Sequence, residues 1–475
     1  MISIGRIVDR FVSTFKQKMV DLCHDFNFSQ LNADLVEEMT SNLSEAASAS
    51  AAEGLRCYVE SFDTNQATIE HDDKLLRSKG KVPKSFLTCF GEMTIERSLY
   101  QHDRGGAAFA PLDAAWGMRD HYATLGVREA VCFASAHCTP AEVHELLGKC
   151  AQFRPSTTAI KHIIGKVGEV MEENQDEMMQ AVRSGEQIPQ EASVLVVSAD
   201  GANVLMRLPG SRHRRPAERP QAHEQSKEAL KQSSYKNAMV GSISLYAEGS
   251  DNEPQRLCSR YTASMPQDNA IEFKQRLENE VSHLAENADA LGLRKVLLMD
   301  GSRALWNYAQ TNPLYEDFEF VIDFYHTADH LSKASEALFG KSSRKAKHWF
   351  GKWRRKLLTT HDAAAGVLRS IEYYSNQSNQ NKLSSSRRKA LKAETTFFRR
   401  NGNRMQYASL RERHMPIGSG PVEAACKSIV KNRLCRSGMR WSHEGGQNIL
   451  TFRTLVKSQR WEDAWQQYKT FAQAA

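Results

Sequence analysis

Apolar residues recur at three- and four-residue intervals in VDRFVSTFKQKMVDLCHDF and in ADLVEEMTSNLSEAASASAAEGLRCYVESF, which predicts a helical region over residues 1–85. The Ser/Ala-rich patch Ser41–Ala52 suits helix or linker alike. FLTCFGEMTIERSLYQ reads as a hairpin with Gly91 near its turn, ending at the Gly105-Gly106 break. HCTPAEVHELLGKC and STTAIKHIIGKVGEV, parted by a break at Phe153–Ser156, follow as two short helices in the outline of a helix-turn-helix. Residues 86–190 are therefore expected to touch DNA, although the same outline is common in proteins that do not.

The middle of the chain changes pattern. EASVLVVSADGANVLMRL is rich in β-formers and is interrupted at Asp200-Gly201, and NAMVGSISLYAE is a second strand. Between them PGSRHRRPAERPQAHEQSKEALKQSSY is polar, basic and Pro-rich, a mobile surface loop by composition. IEFKQRLENEVSHLAENADALG reads as an amphipathic helix, RKVLLMDG as a short buried strand, SRALWNYAQ as a helix, FEFVIDF as a strand and FYHTADHLSKASEALF as a helix. Consecutive strands followed by strand and helix in alternation predict an α/β fold, a mixed sheet with helices on both faces, as in ribonuclease-H-like proteins. Its first part occupies 191–340, and 416–475 holds its second part and a C-terminal helix, with the basic, strand-free stretch 341–415 as a helical insertion.

Composition narrows the class. In 475 residues, 41% are hydrophobic and 25% charged, with a mean hydropathy of -0.54, which excludes a membrane protein and a low-complexity disordered chain. No apolar run approaches a spanning length, and the start MISIGRIVDRFVSTFKQK interleaves charges where a signal peptide keeps an apolar stretch. A cytoplasmic place is the expectation. Nine scattered cysteines without a C-x-x-C pair argue for small buried hydrophobes rather than a disulfide framework or zinc ribbon.

Charge is divided unevenly. From Lys341 to the end there are 28 Lys and Arg against 8 Asp and Glu, net +20, while residues 1–340 hold 35 against 48, net −13. A solvated basic face explains a single run such as Arg387-Arg388-Lys389, but an excess of this size raises self-repulsion that a polyanion would relieve. Nucleic acid is the expected partner.

Two aspartates follow apolar runs that end in the same inferred sheet: Asp200 after VLVVSA and Asp300 after VLLM. An unpartnered carboxylate there is costly unless it meets a cation or water. Asp-Gly is also a common hairpin pair, so either alone carries little. A third acid lies in HMPIGSGPVEAACKSIVKNRLCRSGMRW, where Gly420-Pro421 marks a helix start and puts Glu423 in the first turn. The helix dipole favours a glutamate there in any case. Steps of four, however, align Glu423, Lys427 and Lys431 on one stripe, with Val422, Ala425, Cys426 and Ile429 on a buried one. A carboxylate beside two cations suits a site that holds metal ions and grips a phosphodiester backbone.

With IGSGPVEAACKSIVKNRLCRSGMRW and the close WED-A-W around Trp461–Trp465, this acidic set resembles the DDE transposases of bacterial insertion sequences, of the Kra type and akin to the Mutator-like superfamily. The resemblance spans residues 86–465 and is most specific at Ile417–Trp441. Asp323-Phe324-Tyr325-His326 matches the Asp-x-x-His element of Mutator-like relatives.

The resemblance implies a metal-dependent transposase with two Mg²⁺ (or Mn²⁺) per site held by Asp200, Asp300 and Glu423, Asp200 bridging the ions. Water first hydrolyses the phosphodiester at an element end, and the released 3′-OH then attacks target DNA. Asp323 and His326 would organise the site or touch the scissile strand. His326 and His330 lie one helical turn apart as a zinc pair might, but no second pair stands nearby. Lys427, Lys431, Arg433, Arg436 and Arg440 are the expected backbone contacts, and Trp441 either stacks on an unpaired base or sits in the core. Terminal inverted repeats and target DNA are the implied partners, with at least a dimer on paired ends and association with the nucleoid. Where relatives carry a cysteine pair after the hairpin, this chain has His102 in YQHDRGG and no such pair, so a zinc-dependent end-binding module does not carry over. A metal-dependent nuclease of the same fold and a domesticated, catalytically inactive DNA-binding protein are the rival readings.

Overall fold

The computed structural model describes residues 4–24, 26, 31–207, 235–249, 253–380 and 383–474. The basic loop expected between the first two core strands falls on 208–234 and lies outside the described residues. The chain divides into two units, Met1–Val182 with Arg460–Ala475, and Arg183–Gln459.

In the first unit α1 (Ile4–Leu22) pairs with α2 (Ala33–Glu60), and the Ser/Ala-rich patch is helix within α2. Asn32 caps α2 by accepting from the Leu35 N–H at 2.9 Å. The helical reading of 1–85 stops short, because β1 (Thr68–His71) and most of β2 (Lys74–Thr88) fall inside that range. Lys74–Lys84 is polar, holds Gly80 and Pro83 and is exposed over most of its length, so it shows no alternation. Antiparallel pairing with β3 (Gly91–Gln101) is what makes it a strand, with a register shift between Ser78 and Lys81. Gly91 opens β3 at φ +102°, a conformation that favours glycine. The hairpin packs Phe86, Met93 and Ile95 with Val59, Leu112 and Met118, and the buried Arg97 donates to Asp113 at 2.9 Å.

Next come α3 (Pro111–Ala115), α4 (Leu125–His137), α5 (Pro140–Cys150), α6 (Thr157–Glu173) and α7 (Gln175–Ser184). The expected break between α5 and α6 is present, with Thr139 and Glu142 forming a reciprocal capping box on α5 and Ser156 capping α6. The closing helix Trp461–Ala474 packs in this unit too: Trp461 meets Phe133 edge-on, and the buried Arg128 donates to the Tyr468 hydroxyl at 3.1 Å. The WED-A-W close thus lies in the closing helix of this unit, outside the unit that holds the five-stranded sheet.

The second unit contains, in order, β4 (Val194–Leu205), β5 (Tyr235–Glu248), β6 (Pro254–Ser264), α8 (Ile271–Ala290), β7 (Arg294–Met299), α9 (Arg303–Thr311), β8 (Glu319–Ile322) and α10 (Phe324–Phe339). The four helices α11 (Arg344–Thr359), α12 (Ala363–Gln380), α13 (Ser385–Asn401) and α14 (Tyr407–Glu412) occupy the expected insertion. After them come α15 (Gly420–Ala425), a π-helical turn (Cys426–Lys431), α16 (Asn432–Leu434) and α17 (His443–Lys457). The sheet is mixed, in the order β6-β5-β4-β7-β8, with β4, β5 and β6 antiparallel and β7 and β8 parallel to β4.

Asp200-Gly201 is not a turn. β4 runs through it in unbroken register with β5, from Val194 opposite Tyr246 to Leu205 opposite Tyr235, so Asp200 lies within the strand rather than at its end. Its alternating faces sort the helices. Ala199 opposes Gly241 on the side of α8, where a Cβ on Gly241 would stand 2.8 Å from the Thr262 methyl and 2.9 Å from Leu277 of α8. Asp200 and Val240 point to the other side, which α15 and the π turn cover. The main core joins both sets through Val197, Ile243, Leu277, Leu297, Trp306, Leu331 and Trp353.

All nine cysteines are free; Cys132 and Cys426 are buried, whereas Cys89, Cys150 and Cys435 are exposed and do not fit the buried-hydrophobe expectation. Among the described residues no helix is long and apolar enough to cross a membrane.

Because α8 lies on Gly241 without room for a methyl group, Gly241→Ala should cost about 1–3 kcal/mol. Gly351→Ala, at a helical position with nothing within 4 Å of a new Cβ, should instead be neutral or stabilising by up to about 1 kcal/mol. Urea unfolding of the two variants beside the parent checks the contrast.

Candidate active site

The two parallel ladders place three aspartates in one row. β4 pairs with β7 from Val194 opposite Arg294 to Val197 opposite Leu297, and β7 pairs with β8 from Val296 opposite Glu319 to Met299 opposite Ile322. Continued at the same offsets beyond the paired residues, Asp200 would align with Asp300 and Asp300 with Asp323, and the Asp300 charge is felt at Asp200. Adjacent strands lie about 4.8 Å apart where they are paired. The β4–β7 ladder stops at Val197 while β4 continues with β5, so this edge opens at the carboxyl ends of the parallel strands, where open α/β sheets receive ligands.

Each aspartate is held differently. Asp200 is half-buried, and its Oδ1 accepts from the Gly201 N–H at 2.7 Å. Burial raises its carboxyl above the usual range, and the Asp300 charge adds to the rise, against the opposing pull of the Gly201 N–H, a hydrogen bond with Cys426 and the Lys431 charge. Burial and the Asp200 charge push the Cys426 thiol far up, and Glu423 contributes to the same shift. The Asp300 Oδ1 accepts from the Ser302 N–H at 2.8 Å, while its carbonyl accepts from the indole of Trp306, which is wholly buried, at 2.6 Å. That indole anchors the corner after β7.

Asp323 has both oxygens in use. It is 0% exposed; Oδ1 accepts from the His326 N–H and Oδ2 from the Ser419 N–H, each at 2.5 Å. It therefore caps α10 and ties down the segment leading into α15. The Phe324 N–H donates to the Ile417 carbonyl at 2.9 Å, and a Cβ on Gly418 would meet the Tyr325 ring at 2.9 Å. Glu423 is exposed in the first turn of α15, where the Ser419 hydroxyl reaches its Oε1 at 3.3 Å. Asp323 thus ties down the segment that leads into the Glu423 helix. Ser419 and Cys426 are site residues that the sequence reading passed over. The signal for Ser419 was its place just before Gly420-Pro421; Cys426 sits on the stripe that patterning could label only as buried.

Asp200, Asp300 and Glu423 are hard oxygen donors on one side of the sheet, and the mutual repulsion felt at Asp200 is the kind a divalent cation relieves. The residue types fit such ions. Among the described residues, however, no three His, Cys, Asp or Glu side chains already stand close enough together to hold one. Glu423 is the most exposed of the three and sits on a separate helix.

The Glu423, Lys427 and Lys431 stripe is exposed, opposite the buried Val422, Ala425, Cys426 and Ile429, as the steps of four predict. The π-helical turn at Cys426–Lys431, which patterning did not reveal, widens the helix where it packs on β4. Arg436 and Arg440 are exposed as well. Arg433 is not: it is 1% exposed, with its guanidinium 5.3 Å from the Trp441 ring centre, and does not face a phosphate. Trp441 extends the end of β4. Its N–H donates to the Leu205 carbonyl, its carbonyl accepts from the Arg207 N–H, and its indole donates to the Leu434 carbonyl at 2.8 Å. These ties favour the core reading over a stacking platform. On α11, Lys345, Lys352, Arg354 and Arg355 are exposed around a buried stripe of Ala346, Trp349, Trp353 and Leu357. The basic excess of the insertion is thus an outward face.

No family model matches the chain, and no curated protein matches its sequence.

A carboxyl whose folded value lies above its unfolded one removes stability as pH rises from the unfolded value through the folded one. Asp200→Asn should therefore raise the thermal midpoint at pH 7 without divalent ions. The gain should vanish below about pH 4, where aspartate is protonated in either state. Scanning calorimetry at the two pH values measures both.

Proposed function

We propose that this chain is a DNA transposase of the DDE kind, with Asp200, Asp300 and Glu423 as its metal-binding acids on a ribonuclease-H-like core. The observation that carries the reading is the Asp300 charge felt at Asp200, beyond the paired part of the β4–β7 ladder, together with the packing of α15 and the π turn against β4. The mixed sheet, in the order third, second, first, fourth, fifth with the last two parallel to the first, is in keeping with such a core. The exposed cations of the Glu423 helix and of α11 add a phosphate-gripping surface on the same unit.

Two Mg²⁺ or Mn²⁺ ions bound there would activate the attacking oxygen and stabilise the departing 3′ oxygen. Asp200, Asp300 and Glu423 would hold them as hard oxygen donors. Lys427, Lys431, Arg436 and Arg440 hold the phosphodiester backbone against the acids, giving the site its polarity along the strand. Asp323 keeps the segment before α15 in place so that Glu423 can close on the two aspartates. The expected substrates are terminal inverted repeats and target DNA, handled by at least a dimer on paired ends.

The test is incubation of the purified protein with Mg²⁺ or Mn²⁺ and a supercoiled plasmid carrying the DNA that flanks its own gene, with products mapped by sequencing. Cuts at repeat ends and joined products, both lost in Asp200→Asn and Asp300→Ala while DNA affinity stays within about twofold, are the expected result. Metal-dependent nicking without joining would favour a nuclease, and shifted but uncut DNA a catalytically inactive binder.

DNA affinity should also fall steeply with salt, and each of Lys427→Ala and Lys431→Ala should lower the slope of log K against log salt by about 1. Arg433→Ala should leave that slope unchanged and lower stability instead, as expected of a buried side chain.

A further inference from the structure

The insertion reaches the acidic site through a chain of side chains. Glu394, on α13, is 6% exposed and places its Oε2 2.6 Å from Nδ1 of His330 on α10. Nε2 of His330 lies 3.2 Å from Nε2 of His326, one turn earlier on α10. The His330 ring stacks on Phe397 of α13 at 3.6 Å and 12°, which holds its plane. Nε2 of His326 in turn lies 3.1 Å from where a Cβ on Gly301 would stand, with Phe397 at 3.2 Å from the same point. Gly301 directly follows Asp300. At its other end His326 is fixed through its backbone N–H, which the Asp323 carboxylate accepts.

The order of donors along this chain follows from Glu394. A carboxylate oxygen at 2.6 Å from Nδ1 accepts the proton that Nδ1 carries, which leaves Nε2 of a neutral His330 as an acceptor. Nε2 of His326 then donates to it. Both rings are thereby locked in tautomer and orientation, and the Gly301 backbone rests against the locked His326 edge. In carboxylate–histidine–metal triads the carboxylate orients the ligating histidine without touching the metal; here the array would act on the Asp300–Gly301 corner instead.

We propose that Glu394, His330 and His326 are a positioning array that sets the Asp300–Gly301 corner, so that insertion helix α13 takes part in shaping the metal site. The proposal rests on the reading of Asp300 as a metal ligand.

Calorimetric titration of the full chain with Mn²⁺ alone, without DNA, tests it. Glu394→Leu removes the acceptor at similar volume and should weaken Mn²⁺ binding 10- to 100-fold. Glu394→Gln keeps an oxygen facing His330 and should restore affinity to within a few-fold of the parent. Imidazole ¹⁵N spectra should show the proton on Nδ1 of His330 and on Nε2 of His326 in the parent and in Glu394→Gln, and a changed pattern in Glu394→Leu. Asp300→Asn serves as the reference for loss of a ligand. Unchanged Mn²⁺ affinity in Glu394→Leu beside a loss in Asp300→Asn would overturn the array alone. Equal affinity in the parent and Asp300→Asn would overturn the metal reading of Asp300, and the array with it. If Glu394→Leu melts far below the parent, His330→Gln replaces it in the same comparison, with the same outcomes.

Discussion

A single buried carboxylate joins the parts of the second unit that are far apart in sequence. Asp323 ends β8, starts α10 and, across the whole insertion, accepts the Ser419 N–H that leads into the Glu423 helix. An isolated buried carboxylate is among the most costly groups a core can contain, so its two short hydrogen bonds are conditions of the fold rather than additions to it. They also answer a topological problem. The chain leaves the sheet after α10, builds α11–α14, and returns to lay α15 against β4 and β5. Gly418 against the Tyr325 ring and the Phe324 bond to Ile417 complete that return.

The acidic row sets a second constraint. Asp200 and Asp300 approach because two parallel strands share a register, and burial together with the Asp300 charge holds the Asp200 carboxyl above its usual range. A carboxyl held above its usual range lowers stability at neutral pH. Cys426 and Lys431 moderate it from the π turn. The short Gly201 contact moderates it from the strand itself, which explains how a carboxylate can sit within β4 without breaking its ladder.

Charge is arranged by the same logic on a larger scale. The insertion and the Glu423 helix turn apolar stripes inward and lysines and arginines outward. Arg433 and Arg404 are the exceptions, buried at 1% and 5% exposure over the faces of Trp441 and Trp306. A planar, delocalised cation tolerates such a place where lysine would not. Counting charges therefore overstates the surface available to a polyanion.

Periodicity and local chemistry determined a good deal by themselves. The alternation of three strands with later strand–helix pairs follows from β-branched runs and amphipathic spacing, which act within a few residues. The inward and outward faces of the Glu423 helix and the start of that helix at Gly420-Pro421 follow in the same way. Asp200, Asp300 and Glu423 were visible because carboxylates after apolar runs and in a first helical turn are local signals. What the tertiary structure decided depends on partners distant in sequence. β2 is a strand only because β1 and β3 pair with it. Asp-Gly at 200–201 is strand rather than turn because β5 pairs straight through it. Trp461–Trp465 closes on α4 in the first unit, and Arg433 lies beneath Trp441. The Asp323 bond to Ser419 and the Glu394 contact with His330 span 96 and 64 residues. No pattern read along the chain encodes contacts of that range, because side-chain direction is settled only when the elements pack.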